Sequence, residues 1–255
     1  TTARKSRAYD FRHRPGNPGL RRVPGFADAR PADPTWSVGG PRADREHSVV
    51  SGRPRRRIGV LGGTFDPPHN GHILAAARAV GHLGLDTLLL TVANDPWQKT
   101  APIDGEPEIE VSPATHRLTM VAAAADGLDG VEADDTEIQH GGPTYTADTL
   151  AALAKRYTGA ELVLLVGADV AVRMDTWARP EEVRRCATIV VMTRPGSNQI
   201  RLPEGWQYQV LEVPAYDISS TEVRRRVAAG EVISDLVPAG VASVIEEVGL
   251  YREVG

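Results

Sequence analysis

The chain has 255 residues and carries 29 Lys and Arg against 33 Asp and Glu, a formal net charge of −4. That sum hides a division: residues 1–57 hold 14 basic and 5 acidic side chains, whereas residues 58–255 hold 15 and 28. One cysteine, Cys186, excludes an intrachain disulfide, no apolar run reaches the ~18 residues of a membrane span, and the N-terminal stretch lacks the apolar centre of a signal peptide.

A cytoplasmic protein without a membrane partner is therefore expected, with Cys186 a small core residue. Residues 1–56, basic and rich in Pro, Gly and Arg, carry too little apolar surface to offset chain entropy and are expected to be a disordered arm. Arg53, Arg55, Arg56 and Arg57 raise a nucleic-acid reading. The arm has no interleaved aromatics and the body behind it is acidic, so no nucleic-acid partner is expected. The arm is expected to be dispensable, as a translated upstream region would be. Residues 57–255 suit one domain.

In chain order, Arg57 to Leu61 reads as a strand, Gly62 to His72 as a glycine turn, and Asn70 to Leu83 as a helix. Asp86 to Val92 (D-T-L-L-L-T-V) suits a strand buried on both faces. Ala93 to Val111 is too long for an idle connection; its first half is expected to be functional and its acidic second half mobile. Ser112-Pro113 predicts an N-cap and first-turn proline, opening a helix with Leu118, Val121, Ala122 and Ala125 on one face.

Gly130 to Ala133 reads as a short strand and Thr136 to Gln139 as a second candidate. A helix follows from Thr146 with Leu150, Leu153 and Tyr157 at helical spacing. Glu161 to Val166 is a strand closed by Gly167-Ala168-Asp169, Pro180 to Cys186 a helix, and Ala187 to Met192 and Trp206 to Val213 further strands. Ser219 to Ala229 and Pro238 to Val248 close the chain as helices. Strand and helix alternate throughout, which predicts an α/β fold: a Rossmann-like parallel sheet with helices on both faces.

Two stretches carry chemistry. In Gly62-Gly63-Thr64-Phe65-Asp66-Pro67-Pro68-His69-Asn70-Gly71-His72, a strand–turn–helix order brings backbone N–H groups toward a phosphate, and His69 and His72 stand at the helix mouth. In Ile218-Ser219-Ser220-Thr221-Glu222-Val223-Arg224, Ser219 and Glu222 have capping-box spacing. Two more hydroxyls and Arg224 add phosphate donors. Two such mouths in one domain suggest a polyphosphate held between them.

Together these motifs resemble the H-x-G-H and I-S-S-T-x-x-R signatures of the nucleotidylyltransferase superfamily, over residues 57 to about 252. Within it the chain is most similar to bacterial nicotinate-nucleotide adenylyltransferase. The resemblance is carried by Asp95-Pro96-Trp97-Gln98-Lys99, Tyr145-Thr146-Ala147-Asp148-Thr149-Leu150, Gly167-Ala168-Asp169 with Trp177, and Arg194-Pro195-Gly196.

That resemblance implies transfer of AMP from ATP to nicotinate mononucleotide, with pyrophosphate released and deamido-NAD formed. It implies that His69, His72 and Arg224 are catalytic. Gly62, Gly63, Thr64, Phe65, Gly167, Asp169, Arg194, Ile218, Ser219, Ser220 and Thr221 would contact ATP with them. Lys99, Arg117, Tyr145, Thr146 and Trp177 would serve the substrate side. Mg²⁺ would be held mainly by the ATP phosphates, with no protein carboxylate assigned to it. A homo-oligomer is left open.

Other readings stand beside these. His69 and His72 could hold a metal or act only as capping residues, Arg117 could lie on a helix surface, and Trp177 could be a core residue; Asp66 is read as a structural turn residue. The acceptor could be nicotinamide mononucleotide or phosphopantetheine, or the fold could be a non-catalytic nucleotide sensor. The acidic stretch from Ile103 to Glu110, Ala178 where many relatives have an aromatic, and the basic arm depart from the family pattern.

Overall fold

A computed structural model describes residues 55–96, 110–196 and 200–252. Residues 1–54 of the basic arm, the Trp97–Lys99 part of the loop and nearly all of the acidic stretch lie outside the described residues.

Six strands form one sheet: β1 (Arg57–Gly63), β2 (Thr87–Val92), β3 (Val131–Asp134), β4 (Glu161–Gly167), β5 (Thr188–Thr193) and β6 (Gln209–Glu212), in spatial order β3-β2-β1-β4-β5-β6. Every neighbouring pair is parallel. The order reverses between β1 and β4, and the carboxyl ends flanking such a switch point are where open α/β sheets bind ligands. Both chemistry-bearing glycine segments, Gly62-Gly63 and Gly167, stand there.

The helices are α1 (Asn70–Leu83), α2 (Ala114–Ala125), α3 (Thr136–His140), α4 (Thr146–Arg156), α5 (Ala168–Ala171), α6 (Pro180–Cys186), α7 (Ser220–Ala228) and α8 (Ala239–Val248), with a 3₁₀ turn at Met174–Thr176. Side chains alternate across the sheet, as a strand period of two requires. Ile58, Val60, Leu164 and Val191 pack with Leu150 and Leu153 of α4 and Val183 of α6. Leu88, Leu90, Val163 and Leu165 pack on the other face with Ala76 and Ala79 of α1 and Val121 of α2. Met120 and Ala124 on α2 then meet Val223 of α7 and Val241 and Ile245 of α8, so α2 couples the sheet to the two closing helices.

The expected elements hold with local corrections. Thr136–His140 is helical and not a strand. Asp134 explains the change: its carboxylate accepts the Thr136 hydroxyl at 2.9 Å and the Thr136 N–H at 3.4 Å, offering the backbone a turn in place of a ladder. Pro113, not Ser112, is the N-cap of α2. Ser112 instead donates its N–H to Asp66 Oδ2 at 3.1 Å. The last strand is confined to Gln209–Glu212, and Trp206 is buried before it begins. The buried face of α2 is Arg117, Met120, Val121, Ala124 and Ala125, shifted from the expected stripe because two layers, not one, pack against it.

Candidate active site

The glycine turn after β1 is shaped by close approach. A Cβ on Gly63 would stand 2.8 Å from the Phe65 ring, which is buried and closes the turn at φ 51°. A Cβ on Gly71 would stand 3.1 Å from the His69 imidazole, so the spacing residue of H-x-G-H is small to leave that ring its place. The His69 and His72 rings stack with centroids 3.8 Å apart, and Phe65 meets His72 edge-on at 5.1 Å. The His69 N–H donates to His72 Nδ1 at 3.2 Å, which puts the proton of a neutral His72 ring on Nε2. Burial lowers the His69 pKa from 6.5 to about 4, so this imidazole is neutral through the physiological range.

The second motif closes onto the first. Ser220 Oγ donates to the Pro67 carbonyl at 2.9 Å, and Arg224 Nη1 donates to the Asp66 carbonyl at 2.8 Å. The two helix mouths therefore share one turn, although they lie more than 150 residues apart in sequence. Ser219 is the N-cap of α7 and accepts from the Glu222 N–H at 3.1 Å. Only half of the expected capping box forms, because the Glu222 carboxylate turns to Arg225 and Arg226. Their guanidinium groups hold its pKa down to about 2. Thr221 Oγ1 lies 3.4 Å from Arg224 Nη2, and Ile218 packs against the α7–α8 cluster just before the mouth.

Arg117 requires a correction. It is neither a surface residue nor turned to an open substrate side: it is 1% exposed. Its guanidinium donates to the carbonyls of Ser112 at 2.8 Å, Thr64 at 2.8 Å and Asn94 at 3.1 Å. It stitches the glycine turn to the loops after β2 and before α2. Asp66 is equally committed, buried between the Ser112 N–H and the Tyr251 hydroxyl, which donates to Oδ1 at 2.6 Å. Burial, first, and the Asp66 carboxylate push the Tyr251 pKa upward, so the phenol keeps its proton.

Of the remaining expected residues, Asp169 and Arg194 follow the carboxyl ends of β4 and β5. Asp169 lies in the first turn after β4, its carboxylate folded over the Gly167 backbone. Arg194 is exposed just past β5. Tyr145 is the N-cap of α4 and Thr146 its first residue. Trp177 is partly a core residue: it packs against the α4–α6 cluster, edge-on to Trp206 at 6.5 Å. Arg179, two positions on, pairs with Asp148 in the first turn of α4 at 2.5 Å and so ties the Trp177 segment to the Thr146 mouth. Lys99 lies outside the described residues. Sequence reasoning missed Tyr251, Asn94 and Glu137; none belongs to a local motif, and each matters through contacts far along the chain.

Among the described residues no group of three or more His, Cys, Asp or Glu side chains gathers as a metal site. No helix among them is long and apolar enough to cross a membrane.

A parallel sheet whose first turn is shared by two helix mouths, with paired imidazoles beside it, defines a nucleotide-handling α/β protein. Residues 60–226 match the family model described as cytidylyltransferase-like. A Saccharopolyspora erythraea protein named "Probable nicotinate-nucleotide adenylyltransferase" is 41% identical over 200 residues, covering 78% of this chain and 91% of the relative. A Bordetella avium protein of the same name is 40% identical over 207 residues, covering 77% and 98%. The solved structure of Plasmodium falciparum nicotinic acid mononucleotide adenylyltransferase complexed with NaAD matches with a TM-score of 0.59 over 77% of this chain and 98% of that one. At 16% identity it bears on the fold alone. The chain belongs to the nicotinate-nucleotide adenylyltransferase family, within the cytidylyltransferase-like nucleotidyltransferases.

Proposed function

We propose that the protein transfers the adenylyl group of ATP to nicotinate mononucleotide. A phosphate oxygen of the acceptor attacks the α-phosphorus, the bond from that phosphorus to the α,β-bridging oxygen breaks, and pyrophosphate leaves with the electron pair. The product is deamido-NAD. The observation that carries this reading is the convergence of the two helix mouths on one turn through Ser220 and Arg224.

The nucleophile is already an ionised phosphate, so the chemistry asks for alignment and charge neutralisation and not for a general base. His72 Nε2–H, His69 and Arg224 would meet charge developing on the transferring phosphoryl group. Gly62 to Phe65 and the first turn of α7, with Ser219, Ser220 and Thr221, would cradle the phosphates. Asp169 would accept from the ribose hydroxyls, and Arg194 and Ile218 would border the adenine. Trp177, Tyr145 and Thr146 would receive the acceptor's ring and carboxylate, with Lys99 reaching phosphate. Any Mg²⁺ would enter on the ATP phosphates, where it would add charge neutralisation. No covalent enzyme intermediate is required.

A cytoplasmic location suits a chain with a single cysteine. The reaction is assigned to residues 57–255, so a protein lacking residues 1–52 should keep both activity and melting temperature. The decisive assay follows pyrophosphate release from ATP and Mg²⁺ with nicotinate mononucleotide, nicotinamide mononucleotide or phosphopantetheine. Turnover is expected with the first. Preference for either other acceptor would replace this reading, and binding of ATP without turnover of any would favour a sensor.

A further inference from the structure

Asn94, just past β2, joins two parts of the site. Its carbonyl accepts from Arg117 Nη2 at 3.1 Å, and its backbone N–H stands close enough to the Glu137 carboxylate to favour the charged form. Its side-chain amide donates to the Gly142 carbonyl at 3.0 Å. Glu137 also accepts from the hydroxyls of Thr144 at 2.7 Å, through Oε2, and Thr149 at 2.9 Å, through Oε1. Its two oxygens thus bracket Tyr145 and Thr146. Since Arg117 also holds the Thr64 carbonyl, hydrogen bonds run from the glycine turn through Asn94 to Gly142, two residues before the Thr144 that Glu137 holds.

We propose that Glu137 is a positioning residue for the acceptor: through Thr144 and Thr149, beside the Asn94–Gly142 bond, it sets the Tyr145–Thr146 mouth relative to the phosphate turn. The inference rests on the reading of that mouth as the acceptor's site. A 1 Å displacement between two reacting groups is enough to cost a large factor in rate, so a tie of this kind acts on function out of proportion to its stability. Glu137 suits the task because a carboxylate accepts from several directions at once, and two hydroxyls donate to it with the Asn94 N–H close by. Burial, the largest influence, and the neighbouring Asp134 carboxylate raise its pKa, while those donors oppose the shift. A neutral amide of the same length should therefore be tolerated by the fold, its oxygen accepting from one threonine hydroxyl and its NH₂ donating to the oxygen of the other.

The test is steady-state kinetics of adenylyl transfer on the full chain. Glu137→Ala should raise KM for nicotinate mononucleotide about tenfold while KM for ATP stays within about twofold, because charge-assisted hydrogen bonds are lost on one side of the site only. Glu137→Gln should recover acceptor KM to within about threefold of wild type, with an unchanged melting temperature. If Glu137→Ala does not fold, Thr149→Val removes one of the same bonds at constant volume and should raise acceptor KM about threefold, again without moving KM for ATP. Equal rises in both KM values, or unchanged acceptor KM, would overturn the proposal. A wild-type protein that turns over no nicotinate mononucleotide would sink the functional reading, and this inference with it; normal wild-type turnover with indifferent variants would sink this inference alone.

Discussion

The proposed phosphate side and the proposed acceptor side of the site are held by different means. Around the glycine turn the ties run to main-chain carbonyls: Arg117 to Thr64, Arg224 to Asp66 and Ser220 to Pro67. Around Trp177 and Thr146 they run between side chains, through the exposed Arg179–Asp148 pair and half-buried Glu137 with its threonines. Ties to backbone leave a turn few alternatives, which suits a surface that must meet charge developing in a transition state without reorganising. An exposed ion pair contributes little to stability and holds its loop loosely, which suits a surface that must admit and release a ring.

The sharpest way to break this contrast is His72→Ala. It should lower kcat by about 10²–10³-fold, the usual cost of losing one donor to a developing charge, while ATP still binds by titration calorimetry. Near-normal turnover would remove the imidazole pair from the phosphate side.

Next comes the acid stability of the ligand-free protein. The His69 pKa is lowered by burial from 6.5 to about 4, so between those values the unfolded chain takes up a proton that the folded chain refuses. Stability should be fully present above pH 6.5 and fall as pH drops toward 4, by at most about 3 kcal/mol. Denaturant titrations across that window should show the slope, and His69→Gln should flatten it; an identical slope in that variant would mean the imidazole is solvated.

On the acceptor side the expected effects are smaller. Trp177→Ala should raise KM for nicotinate mononucleotide roughly tenfold at most, from loss of one aromatic contact, and leave KM for ATP alone. A matching rise in ATP KM would show that Trp177 serves the core beside Trp206 more than the acceptor. Smallest of all, Arg179→Ala should shift the melting temperature by about a degree or less and raise acceptor KM only about two- to threefold. A drop of several degrees would mean that the Arg179–Asp148 pair is structural and that the two sides are braced alike.

What was legible in the sequence follows the same division. The alternation of apolar strands and amphipathic helices foretold the parallel sheet, and α1 and α6 begin and end where the pattern places them. The two motifs proposed to hold phosphate were legible as local structure because a glycine turn and a hydroxyl-capped helix are local devices, written in consecutive residues. Thr136–His140 was misread because the Asp134 side chain, not periodicity, decides that segment. Arg117 was read on the substrate side, with a helix surface as the alternative, because nothing in its neighbourhood reveals three carbonyls brought from Thr64, Asn94 and Ser112. Tyr251 and Glu137 were invisible for the same reason: their partners lie 185 and up to 43 residues away, and only the folded chain introduces them.

The bond between Tyr251 and Asp66 has a consequence for biosynthesis. A nascent polypeptide that has left the ribosome only as far as α8 already displays the glycine turn, both imidazoles and Arg224, yet it lacks the phenol that grips the carboxylate behind them. Because translation delivers residues in order while domains begin to fold, this clasp can close only after some 185 further residues have followed Asp66 out of the tunnel. Closure of this clasp therefore waits on chain synthesised long after the turn it holds.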